Sequence, residues 1–275
     1  MSIKLSIRDN AFGHSPISNS PTPAFIDPST VPIEWDRESP VTKDTIYTEG
    51  DILTAPEGAR IWLIEPNDKL YDWVIDNQGR FSEVWTASRR VLEHVAHARF
   101  LTNAGCWIKP EDRKIWPKTR GISQIASNKR GAGGYNLRHL AARTFPQIDT
   151  YVSEYLPITP TWSNKIHALR DYRFHLVIEN CRRDYFFTEK LIDCFLTGTI
   201  PIYWGCPSIH ERFNIAGMIT LPGSDPIESL GMCGVFSGEA DLLYNHMKVA
   251  IEENFRLAQR YVLTEDYIAK NLLPT

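Results

Sequence analysis

Between Glu179 and Pro207 the chain reads ENCRRDYFFTEKLIDCFLTGTIPIYWGCP, where four acids, one lysine, an arginine pair, six aromatic rings and three cysteines interrupt short apolar runs. The apolar run RFHLVIEN enters this stretch and ends in Glu179 and Asn180. Thr188, Glu189 and Lys190 then open a helical pattern, FTEKLIDCFLTG, with Thr188 placed to cap it and Gly198 to stop it. The free N–H groups and positive dipole end of such a helix favour phosphate, and Lys190 in the first turn adds a full charge. A Thr-Glu-Lys start is also an ordinary structural device, since an early acid complements the dipole and a lysine there solvates a face. Its place directly after a strand ending in two polar residues, with aromatic rings between, favours the ligand role. A second turn, SNKRGAGG, contributes Lys129 and Arg130, and the helical pattern after it carries Arg138. Together these cations could neutralise a diphosphate without a metal. The sequence has no DxD pair and no close His/Asp cluster, and His94 and His97, three apart, lack a third ligand, so no metal or cofactor is expected.

These residues need a scaffold, and the second half of the chain supplies an alternating one. GISQIAS reads as a strand, YNLRHLAARTF as a helix, IDTYV as a strand, RFHLVIEN as a strand, FTEKLIDCFLTG as a helix and TIPIYWG as a strand. Strand, loop, helix and strand in so short a span make a βαβ unit. Right-handed crossovers gather the loops at the carboxyl ends of parallel strands, where open α/β sheets bind ligands. In the first half, a strand near Ile3 to Ile7 precedes a long Ser/Pro/Thr-rich loop from Ser15 to Pro40. ARIWLIEP reads as a buried strand stopping at Glu65, a helix follows around Lys69 to Ile75, and SEVWTAS is a strand. SRRVLEHVAHARF fits a helix or a strand equally. GCWIKPEDRKIWPKTRG, with two prolines and seven charges, reads as the linker between two domains, 1–117 and 118–258.

Composition narrows the function classes. With 275 residues, 43% hydrophobic and 23% charged, the chain is long enough for two modest cores. A net charge of -3 argues against a general binder of nucleic acid or anionic membrane, so an anionic ligand must be held by local cations. No run has the length of a membrane span, and MSIKLSIRDN lacks the apolar core of a signal peptide, so a soluble, cytoplasmic protein without a membrane anchor is expected. Five cysteines without paired CxxC spacing read as reduced thiols, mostly buried.

YRFHLVIEN, then FTEKLIDCFLTGTIPIYWGCP, then Phe213-Asn214, resembles the nucleotide-binding motif of the family-10 glycosyltransferases, the alpha-1,3/1,4-fucosyltransferases, in a soluble form such as bacteria or viruses encode. ISQIASNK followed by a helix bearing Arg138 resembles the start of their second domain. The resemblance runs from about Gly121 to Gly217. It implies an α/β fold of GT-B-like architecture: two Rossmann-like domains facing across a cleft, the first on the acceptor side, the second holding the sugar nucleotide, and residues 259–275 returning to the first. It implies inverting transfer of fucose from GDP-fucose to a hydroxyl of a glycan acceptor. Arg138 and Lys190 would hold the diphosphate, Glu189 would accept from hydroxyls of fucose or ribose, and Asn180 would complete the donor site, with Asn128, Lys129 and Glu179 as further donor-binding candidates. One departure stands out: the family usually has tyrosine where this chain has Phe186, so either the neighbouring Tyr185 takes over the hydroxyl contact or the donor site is altered. The alternatives are transfer of a different sugar and a nucleotide-sugar-binding protein that has lost transfer.

Inverting transfer also needs a base for the acceptor hydroxyl. Glu65 is the only carboxylate directly after the apolar run IWLI, and the family's proposed base is a glutamate at a comparable strand end. A cap or a pairing near a turn is the structural alternative for Glu65, with Glu49 and Asp68 next in line as bases.

Overall fold

The structure, a computed structural model, describes residues 3–9, 32–102, 104–131, 133–152, 158–159 and 162–273. The chain divides into two compact units, residues 1–103 with 263–275, and residues 104–262.

In the first unit, β1 (Ile3–Arg8), β2 (Ile33–Asp36), β3 (Ile46–Thr48), β4 (Ala59–Leu63), β5 (Phe81–Thr86) and β6 (Ala98–Phe100) form a sheet of order β2-β1-β3-β4-β5-β6, with every pairing parallel. Parallel strands are covered on both faces, and β4 shows the consequence. Ile61 and Leu63 point into one layer with Tyr71 and Val74 of α1 (Asp68–Asp76), while Trp62 and Ile64 point into the other with Ile268 and Leu272. Ile268 belongs to α8 (Thr264–Asn271), the helix that ends the chain in this unit, where the Trp35 indole N–H also donates to Glu265 Oε1 at 3.0 Å. Asn67 caps α1 by accepting from the Leu70 N–H at 3.2 Å.

Three first-half readings change. Residues 15–31 of the long loop expected from Ser15 to Pro40 lie outside the described residues, but Ile33–Asp36 within it is β2, a strand too short to show a period. β3 carries no sequence signal for the same reason. The ambiguous SRRVLEHVAHARF resolves into both elements: Ser88 caps α2 (Arg89–His94), and the chain then returns as β6.

In the second unit, β7 (Arg120–Ala126), β8 (Asp149–Val152), β11 (Tyr172–Ile178), β12 (Ile200–Trp204) and β13 (Ile219–Thr220) form a parallel sheet of order β13-β12-β11-β7-β8, and the short β9 (Ile158–Thr159) and β10 (Trp162–Ser163) pair antiparallel. α3 (Gly133–Thr144) joins β7 to β8, and α4 (Glu189–Phe195) joins β11 to β12, so both βαβ readings stand. Phe174, Leu176 and Ile178 of β11 build one core layer with Ile200, Ile202 and Trp204, covered by α3 and by α5 (Pro226–Met232), α6 (Ala240–His246) and α7 (Lys248–Ala258). Phe187, Phe195, Phe213 and Tyr261 form a separate aromatic cluster with ring centroids 4.8 to 5.6 Å apart. After α4 the backbone turns at Gly198, whose φ of 69° suits glycine.

The stretch read as a linker packs into this second unit instead. Cys106 and Ile108 are buried, the Trp107 N–H donates to Asp193 Oδ1 at 2.8 Å, and the Trp116 N–H donates to the Thr197 carbonyl at 3.3 Å. Its prolines and charges hid a strap whose backbone is tied down by partners far along the chain. All five cysteines are free, three of them buried. Among the described residues no helix is long and apolar enough to cross a membrane.

Trp62 is fully buried between Trp35 and Trp85, each centroid 6.4 Å away. Trp62→Ala should therefore destabilise the first unit by about 3–5 kcal/mol, the cost of an emptied aromatic site. A urea titration followed by tryptophan fluorescence reads this; a loss below about 1 kcal/mol would show that the layer does not depend on Trp62.

Candidate donor-nucleotide site

β11 ends where its last apolar residue, Ile178, gives way to Glu179 and Asn180, and the polar groups of the second unit converge there. Glu179 is fully buried, and its N–H donates to the Trp204 carbonyl at 2.9 Å, which extends the pairing with β12 by one residue. Its carboxylate accepts from the Thr188 N–H at 2.9 Å and the Thr188 hydroxyl at 2.9 and 3.0 Å. Thr188 in turn caps α4 through the Lys190 N–H. A strand end and a helix start are thus joined through one buried acid.

Lys190 stands over this joint. Its Nζ donates to the Thr188 hydroxyl at 2.9 Å and lies farther from Glu179 Oε2, at 3.4 Å, and from Glu189 Oε1, at 3.5 Å. An ammonium has three donors, and the two carboxylate contacts are long, so donors remain to be redirected to an incoming anion. Glu189 is partly buried and also faces Lys165 Nζ at 3.6 Å. Lys165 makes a 2.6 Å ion pair with the fully buried Asp193. Burial opposes the charge on Lys165, but Asp193 and Glu189 outweigh it and raise its pKa. Burial likewise works against ionised Glu189, yet Lys190 and Lys165, with the Thr188 hydroxyl, bring its pKa down to about 2.

Arg138, on α3, is buried and donates through Nε to the Ile178 carbonyl at 2.9 Å and through Nη2 to Asn180 Oδ1 at 3.0 Å. Burial lowers its pKa, while Glu179, the neighbouring Tyr135 and Glu189 act in the opposite direction. α3 can approach β11 this closely because of Gly134: a Cβ there would lie 1.8 Å from the Glu179 carbonyl oxygen. Gly205 answers the same need from β12, where a Cβ would fall 2.7 Å from Glu179 Cγ.

The structure therefore brings together Glu179, Glu189 and Lys190, and joins Arg138 to Asn180 beside them. It does not bring Tyr185 into that group. Tyr185, at a φ of 63°, donates its hydroxyl to Glu211 at 2.7 Å and stacks under Arg212, while its N–H donates to Ser208 Oγ at 3.0 Å. Asn128 and Lys129 are exposed in the turn between β7 and α3, where the Lys129 carbonyl meets His139 Nε2 at 3.2 Å. Glu65, in the first unit, is exposed just past β4; its N–H donates to Glu49 Oε1 at 2.9 Å and its carbonyl accepts from the Tyr71 hydroxyl at 3.1 Å. Lys165 and Asp193 escaped the sequence reading. The four-residue spacing from Glu189 to Asp193 would have placed both acids on one helix face, but nothing local marks Lys165 as the cation between them. Among the described residues no three metal-ligating side chains gather.

Two parallel-sheet α/β units with a polar cluster at a strand's carboxyl end define the class: the fold is that of GT-B glycosyltransferases. Anabaena HepE, solved with UDP and glucose, matches with a TM-score of 0.58 at 10% identity over 98% of both chains. A crystal structure of an alpha1,3-fucosyltransferase with GDP matches with a TM-score of 0.56 at 15% identity, covering 96% of this chain and 92% of that one. By sequence, an alpha-(1,3)-fucosyltransferase of Helicobacter pylori is 47% identical over 51 residues, 18% of this chain and 11% of that protein's length. No family model matches the chain. The matches support a fucosyltransferase-family assignment, and the resemblance read from the motif is borne out.

The depressed pKa of Glu189 has a stability consequence with a definite sign. Its folded value, about 2, lies below the ordinary 4.5, so the stabilisation is complete above about pH 4.5 and is lost as pH falls toward 2. Glu189→Gln should cost on the order of 2–3 kcal/mol at neutral pH and little near pH 2. Denaturant melts of both proteins across that window check it; parallel stability curves would remove the ion-pair account of Glu189.

Proposed function

We propose that the chain transfers fucose from GDP-fucose to a hydroxyl of a glycan acceptor with inversion at the anomeric carbon. The observation that carries this reading is the cation and carboxylate cluster at the end of β11, where Lys190 and Arg138 flank a fixed Glu179–Thr188 joint. The second unit is the donor domain in this reading and the first contributes the base. Lys190 and Arg138 neutralise the diphosphate as it leaves, so no metal is required for that step. Glu189, kept ionised by two ammonium groups, accepts hydrogen bonds from hydroxyls of the donor, and Asn180 fixes the Arg138 guanidinium beside it. Glu65 takes the proton of the acceptor hydroxyl as its oxygen bonds to the anomeric carbon and the bond to GDP breaks. The five free cysteines support a reducing compartment, the cytoplasm.

A second reading rests on Tyr185 and Phe186. With its hydroxyl donating to Glu211, Tyr185 does not take the place of the hydroxyl that Phe186 lacks, which favours a donor sugar other than fucose. Screening nucleotide sugars for consumption separates the two readings.

Three measurements test the proposal. GDP should bind with the same affinity before and after chelation in calorimetry; a collapse on chelation overturns the metal-free diphosphate site. Lys190→Ala should weaken GDP at least tenfold, because the lysine's carboxylate contacts are long in the ligand-free site while a contact to phosphate is charge-assisted; the melting temperature should also fall, since Glu179 and Glu189 lose their shared cation. Unchanged GDP affinity in the folded variant would mark Lys190 as structural only. Glu65→Gln should leave GDP affinity unchanged and lower turnover by about a hundredfold or more. A glutamine variant with full turnover means that the base lies elsewhere.

A further inference from the structure

We propose that Glu49 is a positioning residue for Glu65: its buried carboxylate holds the backbone amides that present Glu65 at the end of β4. The inference rests on the reading of Glu65 as the base. Glu49 follows β3 directly, and because Thr48 stands opposite Trp62 in the parallel register, the chain leaving β3 runs beside the chain leaving β4. There Glu49 adopts a φ of 48° and is buried. This is the left-handed region, where a residue with a Cβ is strained and glycine is not. A glycine is present, but one place later, at Gly50. The position keeps a carboxylate where the backbone alone would favour none.

The contacts of the side chain offset that strain. Oε1 of Glu49 accepts from the Ile64 N–H at 2.8 Å and from the Glu65 N–H at 2.9 Å. Both amides lie just past the last residue of β4, where the strand ladder no longer supplies acceptors. The Tyr71 hydroxyl of α1 donates to the Glu65 carbonyl at 3.1 Å. The peptide groups around Glu65 are therefore held by side chains of two other segments while Glu65 itself is exposed. Burial raises the pKa of Glu49, the two amides oppose this, and the neighbouring charge of Glu65 adds to it. An acceptor oxygen is all this role demands, and an amide oxygen serves it as well as a carboxylate does. That separates it from the reading in which Glu49 is itself the base.

The test measures kcat and KM for GDP-fucose, GDP affinity, melting temperature and amide exchange in four variants of the full chain. Glu49→Gln keeps the acceptor and should retain kcat within about threefold. Glu49→Leu removes it and should lower kcat by tenfold or more with GDP affinity unchanged, since the donor cluster belongs to the other unit; the Ile64 and Glu65 amides should exchange faster. Tyr71→Phe, which keeps the apolar ring, should lower kcat several-fold with no loss of GDP affinity, and it decides the question if Glu49→Leu does not fold. A Glu49→Gln variant as inactive as Glu65→Gln overturns the proposal, because Glu49 would then be the proton acceptor. Wild-type kcat in Glu49→Leu or in Tyr71→Phe overturns it too. The exchange measurement is independent of the donor: unchanged protection in Glu49→Leu removes the hold on Glu65 whatever the enzyme transfers, whereas full turnover in Glu65→Gln sinks the base reading alone.

Discussion

A fully buried carboxylate, Glu179, is the constraint on which the second unit's site depends. Such a group is costly to bury unless its oxygens are met by donors, and those it finds all come from the start of α4: the Thr188 amide, the Thr188 hydroxyl and Lys190. Meeting that demand fixes the angle at which α4 leaves the loop, and hence where Glu189 and Lys190 stand. The two glycines follow from the same demand. Gly134 and Gly205 lie where any Cβ would strike Glu179 or its carbonyl, so α3 and the chain leaving β12 close onto the acid without displacing it. Arg138 reaches the end of β11 only because α3 is allowed in.

Charge then alternates outward from that point. Glu179, Lys190, Glu189, Lys165 and Asp193 form a series in which each ion lies within 3.6 Å of its neighbour in the series, and Asp193 is anchored by the Trp107 amide of the packed strap. In such a series the cost of burying one ion depends on all the others, so removing a member leaves its neighbours uncompensated rather than free. This couples the strap at Trp107 to the ionisation of Glu189, two features that look unrelated along the chain.

The parts of this arrangement legible in the sequence are those written in neighbouring residues. The apolar run into Glu179, the Thr188 cap and the Gly198 stop give β11, α4 and β12 to within three residues, because strand period, cap chemistry and helix stop agree locally. Glu65 is likewise marked by its place after IWLI. The illegible parts come from distance: Lys165 and Asp193 meet across 28 positions, and the strap from Cys106 to Trp116 looks like a linker because its ordering contacts are to Asp193 and Thr197. β2 and β3 fail for another reason. At four and three residues they are too short to carry a period, and only the neighbouring strands make them strands.

Glu49 in the first unit and Glu179 in the second use the same device. Each is a buried acid just beyond a parallel strand, each accepts from amides of a segment it does not belong to, and each stands near a more exposed acid, Glu65 or Glu189. The chain leaving a parallel strand has lost its ladder partners, and water or a loop carbonyl would satisfy the amides without fixing their direction. A carboxylate anchored in the core satisfies them and fixes it. The neighbouring acid, Glu65 or Glu189, then stands on a backbone whose direction is fixed by another residue, as a positioned functional group requires.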